Sequence, residues 1–166
     1  MNYKKLVFLL SLVFLVASFA KAANEKYIGA AKCKMCHNKA EKGSQFTKWQ
    51  TSVHAKAMAS LKGAEATNPK CLKCHSTAAG VDQALVTTIT VEEGVSCESC
   101  HGPGSVYKVA TTMKDKALSL SKGMIEPKEA VCLKCHNKES PNYKGFNYKE
   151  YAAKIAHDDP TTPAAK

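Results

Sequence analysis

The sequence predicts a mainly α-helical chain with little regular β structure, and three observations lead there. In several segments apolar residues recur every three or four positions, as on one face of a helix, whereas a single short stretch is β-branched and Thr-rich. Gly and Pro punctuate the chain between those segments, at Gly63, Gly102-Pro103-Gly104, Gly123 and Pro160. The third observation is a pattern spelled four times, Cys-x-x-Cys-His, at Cys33–His37, Cys71–His75, Cys97–His101 and Cys132–His136. It uses all eight cysteines.

Paired cysteines also build zinc ribbons and disulfide frameworks. Neither requires a histidine directly after the second cysteine, whereas covalent haem attachment does: two thiols add to the haem vinyls and the histidine becomes the proximal iron ligand. The pattern therefore points to four haem c groups, held through Cys33, Cys36, Cys71, Cys74, Cys97, Cys100, Cys132 and Cys135, with His37, His75, His101 and His136 as proximal ligands. Beyond the leader the chain has one Trp and few Phe and Leu, too few for a purely peptide core. The fold class this implies is a small multihaem cytochrome c fold, mainly α, in which four covalent haems form the core. The spacings between first cysteines are 38, 26 and 35 residues, too irregular for a solenoid of identical repeats.

Taken in order, the elements begin with a leader. Lys4 and Lys5 precede an apolar run from Leu6 to Phe19, and Ala20-Lys21-Ala22 reads as a cleavage site, so residues 1–22 are expected to be a Sec-type signal peptide. The apolar run is short for a membrane span. The expected organisation is then a haem domain over 23–160 and a flexible tail over 161–166, in the periplasm or outside the cell, without stable membrane insertion after cleavage. Ser44 to Leu61 reads as a helix, with Phe46, Trp49, Val53, Ala57 and Leu61 on one face and Gly63 as its stop. Leu85 to Val91 reads as a short strand or extended arm. A second helix carries Val106, Val109, Met113, Ala117 and Leu120, and a third starts at Glu126-Pro127 and delivers the fourth motif. The last is capped by Asn147, with Glu150 three residues on and Phe146 placed to staple onto Tyr151, and runs to His157 before Pro160.

The net charge of +10 overstates the basicity of the holoprotein. The leader removes three lysines and no acid, and two propionates per haem, offset by one charge on ferric iron, bring four haems to a total near +3 oxidised and about −1 reduced. Nucleic acid is accordingly not expected as a partner; redox proteins, a donor and an acceptor, are.

The chain has six histidines, so beyond the four proximal ones only His54 and His157 remain as distal ligands for four irons. Met113 is the third candidate, although methionine at helical spacing also serves as core packing. At least one iron is expected to keep a weak or open sixth position. No Ser/His/Asp or paired-carboxylate arrangement marks a hydrolytic site.

Three stretches resemble a known family. Cys33-Lys34-Met35-Cys36-His37 with Trp49-x4-His54-Ala55-Lys56-Ala57-Met58, the run Gly94-Val95-Ser96-Cys97-Glu98-Ser99-Cys100-His101-Gly102-Pro103-Gly104, and Cys132-x2-Cys135-His136-Asn137-x2-Ser140-Pro141 with the late His157 are similar to the tetrahaem cytochrome c-554 family. The resemblance implies a mainly helical fold with closely stacked haem pairs. It also implies His54 on the third-motif haem, His157 on the fourth, and a five-coordinate haem on His75. The family's prototype carries a distal histidine about ten residues past the third motif, serving the first haem; here Thr111, Thr112 and Met113 occupy that region.

The function expected is that of an exported electron-transfer protein in a respiratory or nitrogen/metal redox chain, more a carrier than an enzyme. Two alternatives stay open: reduction of nitric oxide or another nitrogen oxide at an open iron, and a subunit role in an extracellular cytochrome filament.

Overall fold

The computed structural model describes residues 25–161. The expected signal peptide and residues 162–166 of the expected tail lie outside them.

Nine short α-helices follow one another among the described residues, linked by 3-10 turns and extended arms: α1 Ala30–His37, α2 Gln45–Thr51, α3 Pro69–His75, α4 Thr77–Gly80, α5 Cys97–His101, α6 Ala110–Met113, α7 Lys116–Ser121, α8 Glu129–Cys132 and α9 Tyr148–Ile155. The only bridge of β type among these residues joins Tyr27 to Val86. The mainly helical expectation therefore holds. No described helix is long and apolar enough to cross a membrane.

The helices are short because the chain breaks them with local chemistry. The helix expected over 44–61 stops at Thr51, with Ser52 extended and a 3-10 turn over Ala57–Ser60. Thr51, Ser52 and Val53 are weak helix formers, and the His54 carbonyl accepts from Val95 N–H at 3.0 Å as well as from Ala57. That remote bond uses a carbonyl a continuous helix would need. Of the expected apolar face, Phe46 is buried and Val53 is 77% exposed. The second expected helix divides into α6 and α7 because Asp115 caps the latter, its Oδ1 accepting from Leu118 N–H at 3.0 Å. The third begins at Glu129, two residues beyond Pro127, and α8 gives way to turns before His136. Of the stretch 85–91 only residues 86–90 form the extended arm, since Leu85 closes one 3-10 turn and Val91 opens another: Thr87 N–H donates to Tyr27 O at 3.0 Å and Ile89 is buried. α9 starts as expected, with Asn147 Oδ1 accepting from Glu150 N–H and Phe146 stacked 5.2 Å from Tyr151, but it ends at Ile155.

The peptide core lies around the third motif. Ile28, Ala30, Ala78, Ile89 and Tyr107 are buried there with Ser76, Thr77, Ser96 and Glu98. Glu98, inside the motif itself, is 1% exposed. Its Oε1 accepts from Ile28 N–H at 3.0 Å and Gly104 N–H at 2.6 Å, and its Oε2 from Gly29 N–H at 2.8 Å. Glu93 Oε2 takes the next donor, Ala30 N–H, at 2.8 Å. Three successive N–H groups at the start of α1, which a helix leaves without intrahelical partners, thus end on two carboxylates from the third-motif region. Gly29 makes the approach feasible: its φ of +82° is left-handed, and a Cβ there would lie 3.2 Å from Ile89 Cα.

Candidate haem-binding site

Each attachment segment is short and begins or ends on its chemistry. α1 and α3 finish at His37 and His75, and α5 runs from Cys97 to His101. α3 is started by Asn68, whose Oδ1 accepts from Lys70 N–H at 3.0 Å, with Pro69 in the first turn. The eight cysteines are all free thiols. Among the described residues no group of three or more His, Cys, Asp or Glu is gathered in a way that could hold a metal ion directly.

The segments meet in pairs. The Cys33 and Cys97 thiols adjoin: the Cys97 thiol holds Cys33 low, and the Cys33 thiol together with burial pushes Cys97 up. Burial likewise raises Cys135, to about 12, with the Cys74 thiol beside it. First and third motifs therefore adjoin through their first cysteines, and second and fourth through their second.

The histidines carry the clearest geometry. The His54 and His136 rings lie 6.0 Å apart between centroids, with planes at 76°. His101 and His157 are also 6.0 Å apart, at 80°. Two metal–nitrogen bonds of about 2 Å, extended by about 1 Å from each nitrogen to its ring centre, would separate two axial imidazoles by roughly 6 Å. Both centroid separations match that spacing. The pairing is the exchange of the one implied by the family resemblance: His54 faces the fourth-motif histidine and His157 the third. The break after Thr51 and the short α9, neither visible as periodicity, set which proximal ring each one reaches.

Ring tautomers agree with ligation. The Nδ1 of His75 lies 2.9 Å from Ala57 O and 3.2 Å from Ser60 Oγ, that of His101 is 3.3 Å from Ile125 O, and that of His157 is 2.8 Å from Ile155 O. A carbonyl only accepts, so Nδ1 carries the proton in each and Nε2 is left as the metal-binding nitrogen. Burial depresses His37, His54, His101 and His136 below the ordinary imidazole range, which favours the neutral form that binds iron. His136 is oriented by a ring instead, stacked 4.8 Å from Phe146 at 20°. Met113 is half-buried, with its sulfur 4.0 Å from Ser119 Oγ.

Sequence reasoning missed Glu98, Glu93 and the Phe146–His136 contact. An acid between the two cysteines of a motif otherwise flanked by Gly and Ser was the available signal for the first. The stack left none, because Phe146 stands ten residues from His136.

Residues 32–102 match the family model described as cytochrome c554 and c-prime. Cytochrome c-554 of Nitrosomonas europaea is 28% identical, over 81% of this chain and 68% of that protein. No solved structure gives a significant match. The family match runs through the first three Cys-x-x-Cys-His segments, up to the glycine after His101, and with the mainly helical fold it makes the chain similar to the cytochrome c-554 family.

Proposed function

We propose that the protein is an exported electron carrier with four haem c groups, working between a redox donor and acceptor in a respiratory or nitrogen/metal redox chain. The observation that carries this reading is the pair of histidine couples at 6.0 Å, each joining one proximal histidine to one of the two spare ones. Haem c supplies one-electron chemistry when bound; the residues supply attachment, axial ligation and orientation. Cys33 and Cys36, Cys71 and Cys74, Cys97 and Cys100, and Cys132 and Cys135 hold the four groups. His54 and His136 serve one iron, and His101 and His157 another. The paired imidazoles would hold such an iron in the same way in both oxidation states, so electron transfer would need little rearrangement of the chain. Ligand identity and hydrogen bonding to the ligands then set the relative potentials.

With His54 assigned to His136 and His157 to His101, no spare histidine is left for His37 or His75, although His157 and His101 lie near enough to His37 to interact with it. We assign Met113 as the residue to test at the first-motif iron and an open position at the iron on His75. The open position supports the second reading, binding or reduction of a small nitrogen oxide. His75 donates to Ala57 O, beside Ser60, which strengthens it as a single axial ligand.

Domain limits belong to the same proposal: a signal peptide over 1–22, the haem domain over 23–160 and a short tail. A haemochrome assay on protein purified from the periplasmic fraction tests it. The expected result is four covalent haems per chain and a mass lacking residues 1–22; one or two haems, or an intact leader, would refute it. Carbon monoxide titration then separates the readings at His75, since an iron closed to the gas cannot be a reductase site.

A further inference from the structure

We infer that the Lys42–Gly43 turn is a dock for the chain segment after α9, and that this dock sets His157 opposite His101. The inference rests on the reading of His157 as an axial ligand and adds the residues that put it there. α9 ends at Ile155, so His157 stands on a segment with no helix to hold it. Residues 158–161 lie against a turn more than a hundred residues earlier in the chain. Gly43 and Ser44 are both left-handed, with φ of +96° and +51°, and Ser44 is the only such non-glycine residue among those described. The turn brings the backbone of Gly43 against the Asp158 carbonyl oxygen. A Cβ on Gly43 would fall well inside contact distance of that oxygen and 3.1 Å from Pro160 Cδ.

Two polar contacts flank the close approach. Lys42 Nζ lies 3.6 Å from Asp159 Oδ2 and donates to Thr161 Oγ1. Asp159 Oδ1 in turn accepts from Thr161 N–H at 2.8 Å and from its hydroxyl at 2.7 Å, which closes a tight turn just past the histidine. The segment is thus fixed immediately after His157, while the Nδ1 contact to Ile155 O at 2.8 Å fixes the ring from the other side. Backbone contact at Gly43 is the part side-chain motion cannot relieve: any larger residue must displace residues 158–160, and His157 with them. Gly43 and Lys42 are positioning residues that touch no iron themselves.

The test compares three variants of the holoprotein. Gly43→Ala is expected to retain its full haem content, lose one low-spin ferric haem by EPR, and take up one more equivalent of carbon monoxide per chain when reduced. His157→Ala is expected to give the same change. A Gly43→Ala protein with the wild-type low-spin count and carbon monoxide uptake overturns the inference if His157→Ala has changed both. If His157→Ala changes neither, the ligation reading fails and the dock falls with it. Should Gly43→Ala yield no holoprotein, the ion pair decides. Lys42→Glu is expected to raise the rate of carbon monoxide binding at that haem about fivefold, the scale of a surface ion pair, and Lys42→Glu with Asp159→Lys to restore it. No rate change, or a rise that the exchange does not reverse, overturns the inference.

Discussion

The third and fourth attachment segments share one motif and are held in opposite ways. Around the third, the peptide does the holding. Glu98 and Ser96 are 1% and 2% exposed, Ser96 N–H donates to Thr77 Oγ1 at 2.8 Å, Tyr107 OH donates to Gly102 O at 2.9 Å, and Ile125 N–H donates to His101 O at 2.9 Å. Around the fourth, no residue from 120 to 161 is buried. His136 has the Phe146 ring, Phe146 has Tyr151, and an exposed Lys73–Glu139 pair ties the segment to the second motif. The difference teaches that one chain supports the same motif in two ways. The third segment is built by long-range hydrogen bonds; the fourth is ordered by local ring stacking and, on the proposed ligation, would be completed by an iron shared with His54.

The largest effect that would break this contrast is at Glu98. Replacing it with Ala leaves the N–H groups of Ile28, Gly29 and Gly104 buried without an acceptor, a loss of about 3–5 kcal/mol. Denaturant unfolding of the holoprotein should show a large drop in midpoint. A change below about 1 kcal/mol would mean the third segment is not peptide-held. Glu98 also has a pH signature. Burial pushes its carboxyl above the ordinary carboxylate range, opposed by the N–H groups of Gly104, Gly29 and Ile28. A raised pKa in the folded state means the native protein binds the proton more tightly. The contribution is therefore complete below the unfolded value of 4.5 and declines as pH rises through the folded one. Glu98→Gln should remove that slope from the stability profile, whatever its effect on the midpoint.

Next in size are the two distal histidines. His54→Ala and His157→Ala should each cost one low-spin haem by EPR, but with different structural reach. Loss of His54 should lower amide protection across 132–155 by at least tenfold in hydrogen exchange, because little else orders that segment. Loss of His157 should leave the amides of 94–107 unchanged, since their partners are peptide groups. Equal losses in both regions would erase the distinction.

Phe146→Ala is a smaller, local test. It removes the ring stacked on His136 and should cost about 1–2 kcal/mol while altering only the EPR signal of the His54–His136 iron. A change in the third-segment signal instead would contradict the assignment of rings to irons. Smallest of all is the exposed Lys154–Glu150 pair on α9, where Glu150→Gln should shift stability by no more than about 0.5 kcal/mol.

The proposed attachment chemistry rests on the sequence, because a cysteine pair followed by histidine is a local covalent signature. His54 and His157 were singled out by counting ligands against irons, and the structure sets each beside a motif histidine. α9 was legible in outline, since Asn147, Phe146 and Tyr151 act on their near neighbours. The features that escaped were non-local. The end of α2 depends on Val95 reaching the His54 carbonyl, and the role of Glu98 depends on N–H groups 70 residues away. The exchange of His54 and His157 between the third and fourth histidines has the same origin: periodicity reports which face a residue occupies, never which distant ring it will meet.

The central proposal is that His54–His136 and His101–His157 each hold an iron, and a spin-state census tests it most directly. EPR of the fully ferric holoprotein, integrated per haem, should give two low-spin bis-histidine species and at least one high-spin iron that binds nitric oxide. Four low-spin irons inert to the gas, or fewer than two bis-histidine signals, would contradict it.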